Sequence, residues 1–216
     1  MGQAKQRGTK AERIAQAQLR PQKPVSNKPP SQEEMMKLAT IAQRLDPLIN
    51  AITTPETINE QVVQFASQLS HQAPLLLACE PELWSRESCC DLNVEKYVEG
   101  HGGRMLCGYR VWYAAPRYIE GERHAVWTDG DTIRDVSFAG SGEIQTVFVP
   151  DDLDFDAAPA KVRHVFEEDD KAALAAYERM SEVMSQFMST HKPSAAQAWK
   201  QARTYESWLA GNTASA

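Results

Sequence analysis

The feature that most constrains the fold is an Asp129-Gly130 pair between two stretches of β-prone residues. Glycine tolerates the positive φ that a tight type I′ turn requires, so this pair predicts a β-hairpin. If the loop closes on these two residues, His124 lies directly across from Asp135. Cross-strand partners share one face of a sheet, with Cβ atoms about 4.5–5.5 Å apart. An imidazole beside a carboxylate is an oriented general base, so the hairpin indicates catalytic chemistry.

The register of this hairpin has alternatives. A hairpin centred one residue later pairs His124 with Ser137 and leaves Asp135 diagonal to the imidazole on the same face. A three-residue loop moves Asp135 to the opposite face of the sheet and separates the two side chains. The alternative interpretation of His124 and Asp135 is a surface pair without a catalytic role.

The charge of the chain is unevenly distributed. The 216 residues carry a net charge of -6, yet residues 1–30 hold seven Lys or Arg and one Glu, a charge of +6. The remainder therefore carries a charge of -12. Residues 1–30 contain few large apolar side chains, so we expect a disordered basic arm. Such an arm could bind nucleic acid or an acidic partner, whereas the acidic body argues against nucleic acid over the whole surface.

The apolar and cysteine content indicates a reduced cytoplasmic protein. No apolar run approaches the ~20 residues of a membrane span, and no apolar segment follows the basic N-terminal residues. We therefore predict no membrane contact and no secretory signal. The cysteines lack Cys-x-x-Cys spacing, and no disulfide framework is evident. They are Cys79, Cys89, Cys90 and Cys107.

Residues 31–216 are predicted to form a single α+β domain. A capping-box signature at Ser31 and Glu34 predicts the first helix, and Thr54-Pro55 predicts the start of a second. Alternating or β-prone residues predict an antiparallel sheet of about four strands, packed by helices before and after it. The predicted parts are 31–87 (helical), 88–150 (helix plus sheet core) and 160–210 (C-terminal helices).

Cys90 is the candidate nucleophile. Ser88 can cap a helix that begins at Cys89, which places Cys90 in the first turn. A helix N-terminus lowers the pKa of a thiol and supplies backbone N–H groups for an oxyanion. Asn93, one turn along the helix, could support this oxyanion site. The alternative is that Cys90 packs as a small apolar side chain.

The chain order Cys90, His124, Asp135, with a helix followed by strands, resembles the papain-like and transglutaminase-like cysteine hydrolases. The likeness runs from Ser88 to Pro150. The resemblance implies a papain-like core in which Cys90 is the nucleophile, His124 the base and Asp135 the residue that orients the imidazole. It implies hydrolysis or transfer at an amide or ester of a protein or a small acyl substrate, without a cofactor.

A second resemblance is to uncharacterised bacterial, plasmid and phage proteins. Many of them open with Met-Gly-Gln-Ala-Lys-Gln-Arg-Gly-Thr, as residues 1–9 do here. This likeness implies no particular activity. It does favour an alternative function, a non-catalytic interaction protein of phage or plasmid origin that uses its basic N-terminal arm to bind nucleic acid or an acidic partner.

Metal binding is a rival interpretation of the same side chains. Several residues of the central region are of the types that bind zinc, but no pair has zinc-finger or His-Glu-x-x-His spacing, so we predict no metal site. These residues are Cys90, His101, Cys107, Glu122 and His124.

Overall fold

The computed structural model of the chain describes residues 30–188 and 194–213. The predicted basic arm, residues 1–30, lies outside the described residues apart from Pro30, so it stays a prediction. By their internal contacts, the residues from Lys37 onward group into one unit.

Helices and strands follow in a mixed order along the described residues. The helices are α1 (Gln32–Ala42), α2 (Asp46–Ile49), α3 (Glu60–Leu69), α4 (Cys90–His101), α5 (Lys171–Met188), α6 (Ala195–Gln201) and α7 (Tyr205–Thr213). The strands are β1 (Leu75–Ala78), β2 (Arg104–Ala114), β3 (Tyr118–Thr128), β4 (Ile133–Arg134), β5 (Gln145–Pro150) and β6 (Lys161–Val165). Among these residues no helix combines the length and apolar character needed to cross a membrane.

The starts of the first two long helices show which local signals decide a boundary. The predicted capping box of α1 is present, because Glu34 N–H donates to Ser31 Oγ at 3.2 Å and Ser31 N–H donates to Glu34 Oε2 at 2.6 Å. The predicted start of the second helix at Thr54-Pro55 is wrong. Helix α3 begins at Glu60, because the Asn59 side chain accepts the Val62 N–H at 3.0 Å and so caps it.

One sheet organises the chain, with strand order β1-β5-β2-β3-β4 and β6 paired with β3. Each of these ladders is antiparallel. The predicted α+β class with an antiparallel sheet is confirmed, whereas the predicted number of about four strands is too low, since the described sheet has six.

The two further strands lie in parts of the chain that are predicted to be helical overall, although the short apolar segment 74–84 that contains β1 has no pattern that assigns it to helix or strand. Strand β1 falls in the predicted helical part 31–87, and β6 falls in the predicted C-terminal helical part 160–210. Strand β6 is short and polar, and it is fixed by charge: Lys161 and Arg163 lie within 2.9 and 3.3 Å of the Glu120 carboxylate on β3. Such cross-strand pairing outweighs a weak local pattern.

The predicted central hairpin is present, but the prediction of a two-residue loop is wrong. Thr128 pairs with Ile133 and Trp127 with Arg134, so the loop spans 129–132. The Asp129 carboxylate accepts the N–H groups of Asp131 and Thr132, which stabilises this longer loop. The register is the alternative centred one residue later, and the ladder stops before Asp135.

Helix α4 is held against the sheet by a buried cluster that includes Val94, Tyr97, Ala125, Trp127 and Val136. Full burial of one large apolar side chain contributes about 1.5–3 kcal/mol. This packing fixes the start of α4 beside strand β3 and the segment that follows β4. A second cluster packs α3 against β2, β3 and β5 through residues such as Val62 and Phe65.

Candidate functional site

His124 and Asp135 are in direct contact. Strand β3 carries His124, and Asp135 directly follows β4, where its backbone carbonyl accepts the Glu80 N–H at 2.8 Å. His124 Nε2 lies 2.9 Å from Asp135 Oδ2. The imidazole is 4% exposed and the carboxylate is fully buried. The sequence therefore predicted the correct pair. Asp135 lies diagonal to His124, however, rather than directly across from it.

The Asp135 carboxylate is held as an anion by several donors. Arg110 Nη2 donates to Oδ2 at 2.7 Å, and the Ser137 N–H donates to Oδ1 at 2.9 Å. Burial by itself raises the pKa of Asp135, but the charges of His124 and Arg110 and these hydrogen bonds outweigh it. The pKa of Asp135 is therefore well below its usual range, and the carboxylate is ionised at neutral pH.

The His124 imidazole is neutral at pH 7. Burial lowers its pKa below 6.5, the nearby Asp135 carboxylate opposes this, and the Arg110 charge adds to the lowering. Because the ionised carboxylate can only accept, the bonded Nε2 carries the proton. The other nitrogen, Nδ1, is then a free base, and it has no hydrogen-bond partner among the described residues. This is the protonation state that a general base requires.

A glycine on the neighbouring strand makes room for the imidazole. Gly108 on β2 lies directly across from His124. A Cβ at this position would lie 2.2 Å from the Val149 carbonyl oxygen and 2.7 Å from Phe148 Cζ. The absence of that atom lets the Phe148 ring pack edge-on against the imidazole, with ring centroids 6.2 Å apart. The ring orientation is therefore fixed by packing as well as by Asp135.

Cys90 stands at the start of α4, as predicted, but its local setting differs from the prediction. The helix begins at Cys90 rather than Cys89, and its N-cap Cys89 makes no side-chain capping bond. Ser88 is not the cap, because Cys89 holds that position, and the Ser88 backbone takes a positive φ of 57°. The Ala125 backbone is close enough to the Cys90 sulfur to lower the pKa of the thiol.

Burial controls the ionisation of Cys90. It raises the pKa of the thiol to about 12, and the Ala125 backbone and the Arg110 charge lower it by less. The pKa of the thiol is therefore raised overall rather than lowered, because removal of the sulfur from water outweighs the effects that lower it. Cys90 is a thiol at neutral pH and needs a base to become a nucleophile.

A cavity of about 330 Å³ connects the candidate residues. Cys90, Arg110 and His124 line it, while Asp135 lies behind the imidazole. Among the described residues no hydrogen bond joins the Cys90 sulfur to His124, so the two groups share a cavity rather than a bond. A ligand in this cavity would contact both.

Asn93 supports the loop before α4 instead of facing the cavity. The side chain is fully buried, and its Oδ1 accepts the Arg86 N–H at 2.7 Å. Its Nδ2 donates to the Arg86 carbonyl at 2.9 Å and to Ser137 Oγ at 3.3 Å. Both amide hydrogens are thus engaged, so an oxyanion role would require these bonds to break. The geometry therefore gives no support to the predicted oxyanion role of Asn93, whose amide ties Arg86 to Ser137 instead.

Sequence reasoning missed Arg110 and Cys79. Cys79 Sγ lies 3.9 Å from both Asp135 Oδ2 and Arg110 Nη2, and burial raises the pKa of this thiol to about 12. The sequence carried no signal for Arg110, because it stands at an even position of β2, where the alternation with apolar odd positions predicts a polar side chain. Its partner, 25 residues away in sequence, could not be read from the pattern.

The rival metal interpretation receives no geometric support within the described residues. There, no group of three or more His, Cys, Asp or Glu side chains is arranged to hold a metal ion. His101 stacks on Tyr97 with ring centroids 3.9 Å apart at the far end of α4.

Comparison with protein-family models, with curated proteins and with solved structures finds no match to this chain. The geometry of the site is therefore the basis for the function proposed below.

Proposed function

We propose that this protein is a cysteine-dependent acyl hydrolase or transferase with a papain-like or transglutaminase-like core. Cys90 is the nucleophile, His124 the general base and Asp135 the residue that orients the imidazole. The observation that carries the proposal is the 2.9 Å contact between His124 Nε2 and Asp135 Oδ2, which leaves Nδ1 as a free base in a cavity shared with Cys90.

The first half of the reaction forms a thioester. The Cys90 thiol gives its proton to His124 Nδ1 while the sulfur attacks the substrate carbonyl carbon. The carbonyl π electrons move to oxygen, and Asp135 stabilises the imidazolium that forms. When the tetrahedral adduct collapses, the C–N or C–O bond breaks, and the leaving amine or alcohol takes the proton from His124.

The second half releases the acyl group. Water or an amine attacks the thioester and gives its proton to His124, and the Cys90 sulfur leaves and recovers a proton. In the resting state the raised pKa of Cys90 and the lowered pKa of His124 both favour a neutral pair. We therefore expect general-base activation of a thiol rather than a preformed thiolate–imidazolium pair.

Acylation by an activated ester tests this proposal without knowledge of the natural substrate. The full chain with Cys89→Ser is mixed with p-nitrophenyl acetate, and intact-protein mass spectrometry follows acetylation at Cys90. We expect acetylation and subsequent release of acetate, with both rates reduced at least about 100-fold in His124→Ala, the lower range of general-base effects.

Two further variants separate chemistry from folding. Cys90→Ser should lose the label at this position, and Asn93→Ala should destabilise the loop before α4 without abolishing acetylation of the folded protein. Equal acetylation of Cys90 in the parent and in folded His124→Ala would contradict the proposal. That result would favour the non-catalytic alternative and direct attention to the partners of residues 1–30.

A further inference from the structure

Arg110 is a buried cation with unused donors at the wall of the candidate cavity. Its side chain is 7% exposed and it lines the same cavity as Cys90 and His124. Its hydrogen bonds within the described residues all leave from Nη2, at 2.7 Å to Asp135 and 3.9 Å to Cys79. The Nε atom is buried without a hydrogen-bond partner.

Some N–H donors of Arg110 therefore lack an acceptor within the described residues. Guanidinium carries five N–H donors in a planar fork, and buried polar groups are normally satisfied. The Trp112 ring lies beneath the guanidinium, with 5.6 Å from Arg110 Cζ to the ring centroid, and holds its plane. Nη1 also makes no hydrogen bond within the described residues and, unlike Nε, is not among the buried atoms, so it is the nitrogen to which a ligand with an anionic oxygen would supply an acceptor.

The neighbouring acidic side chains do not fill this role. Glu122 is directly across from Arg110 on β3, yet its carboxylate binds Trp112 Nε1 at 3.0 Å and lies 3.5 Å from Lys161 Nζ. Asp91 also lines the cavity, and its negative charge opposes an anion there. Arg123 also lines the cavity, but each of its nitrogens has an acceptor, so Arg110 is the cavity-lining cation with unused donors among the described residues.

We propose that Arg110 binds a carboxylate of the substrate in this cavity, next to the sulfur of Cys90. The inference rests on the proposed function in calling the bound anion a substrate. It specifies a substrate class, an acyl compound that carries a free carboxylate near the reacting carbonyl. Guanidinium–carboxylate recognition is directional and charge-assisted, so it also orients the carbonyl toward the nucleophile.

Two alkylating reagents of similar size test the proposal. Iodoacetate carries a carboxylate and iodoacetamide does not, and each transfers its carbon to a thiolate with loss of iodide. In the Cys89→Ser protein we measure the ratio of the iodoacetate to the iodoacetamide rate at Cys90, with Cys107 of the same molecule as an internal reference. We expect a higher ratio at Cys90 than at Cys107.

Substitutions then assign the effect. Arg110→Gln should lower the Cys90 ratio about tenfold, the loss of one charge-assisted hydrogen bond, and Arg110→Lys should lower it less. Glu122→Gln should raise it by removing an opposing charge. The matched control is Arg104→Gln, which removes the same charge from an exposed position on the same strand and should leave the ratio unchanged.

A measurement on the protein that retains Arg110 tests the proposal even if the Arg110 variants fail to fold. Acetate, compared with chloride at equal ionic strength, should slow iodoacetamide alkylation of Cys90 in a saturable way. No slowing by acetate, or an unchanged ratio in folded Arg110→Gln, would overturn the proposal. Failure of the proposed acyl chemistry gives a different result. In that case the rates of Cys90 alkylation by both reagents no longer depend on His124, while the ratio of the iodoacetate to the iodoacetamide rate is unchanged.

Discussion

Two buried arginine–aspartate pairs border the same cavity and differ in how completely they are satisfied. Arg123 donates to both oxygens of Asp151, at 2.5 and 3.2 Å. It also donates to the backbone carbonyls of Gly108, Leu153, Asp154 and Phe155. Arg110 bonds strongly to Asp135 alone, and shares that carboxylate with His124.

The difference shows how a saturated ion pair can be distinguished from one available to a ligand. Arg123 closes the segment after β5 onto β3, and each of its nitrogens has an acceptor. Arg110 has a buried nitrogen without one. Arg123 and Arg110 cannot be distinguished by their position, because both line the cavity. Their hydrogen bonds distinguish them, and these assign a structural role to Arg123 and a ligand-binding role to Arg110.

The largest expected effect is on the structural pair. Arg123→Met leaves Asp151 as a buried charge without its partner, so the free energy of unfolding should fall by about 3–5 kcal/mol. Urea unfolding followed by tryptophan fluorescence measures it. Arg104→Met is the control, with a change within about 0.5 kcal/mol because this side chain is exposed. A loss below about 1 kcal/mol for Arg123→Met would contradict the structural role assigned to the Arg123–Asp151 pair.

A smaller loss of stability is expected at the second pair. Asp135→Asn keeps a hydrogen-bonding side chain near Arg110 and next to a cavity that admits water, so we expect a loss of about 2 kcal/mol. The effect on chemistry should be larger than this figure suggests, since His124 loses its orienting anion. Acetylation of Cys90 should fall at least about tenfold. Normal acetylation in folded Asp135→Asn would remove Asp135 from the mechanism.

Gly108 joins the two pairs, and its substitution should disturb both. Its carbonyl accepts from Arg123 at 3.2 Å, and its missing side chain admits Phe148 against His124. A Cβ would meet the Val149 carbonyl oxygen at 2.2 Å. Gly108→Ala should destabilise the fold by about 1–3 kcal/mol through overpacking. It should also slow Cys90 acetylation, whereas Gly211→Ala, in helix α7 with open space around the added Cβ, should leave that rate unchanged.

The smallest predicted effect is a pH dependence of stability. The folded-state pKa of His124 is lowered below 6.5, so below that pH the unfolded chain binds a proton that the folded imidazole does not. Stability should therefore fall as pH drops below 6.5, with a slope of at most about 1.4 kcal/mol per pH unit from this group. His124→Gln should flatten that slope in urea unfolding between pH 6.5 and 5. An unchanged slope would contradict the burial of a neutral imidazole.

The Asp135 carboxylate also makes the stability of the fold decrease as pH falls, but in a lower pH range. Its pKa is depressed below the ordinary 3.8, so its contribution is present above that value and is lost as pH falls through the folded-state pKa. Asp135→Asn should therefore remove part of the acid sensitivity below pH 4. No difference from the parent protein in that range would contradict the assigned ion pair.

The sequence predicted the parts of the site that depend on local pattern. Alternation identified β2 and the Asp129-Gly130 pair identified β3, while Cys90 was placed in the first turn of α4 although Ser88 is not its cap. The hairpin was placed correctly, but its register was not, because the Asp129 side chain can stabilise a four-residue loop as well as a two-residue turn. On either register Asp135 stays on the face of His124, which is why the pair was found.

The remaining parts depend on contacts that no local pattern reveals. Arg110 meets Asp135 only after the chain leaves the ladder at Arg134 and forms a bridge to Cys79 beside β1. Asn93 was expected to face the oxyanion, but the loop at Arg86 takes its amide. The pKa of Cys90 could not be predicted either, because its burial depends on how α4 packs against Ala125.

The most direct test of the central claim is the pH dependence of Cys90 alkylation by iodoacetamide, in Cys89→Ser with and without His124→Ala. The account predicts that His124 makes the thiol reactive near neutral pH, with an inflection below 6.5 where the imidazole becomes neutral. Without His124 the rate should be low and rise only toward the raised thiol pKa of about 12. Identical profiles in the two folded proteins would show that Cys90 is a packing residue and would contradict the account.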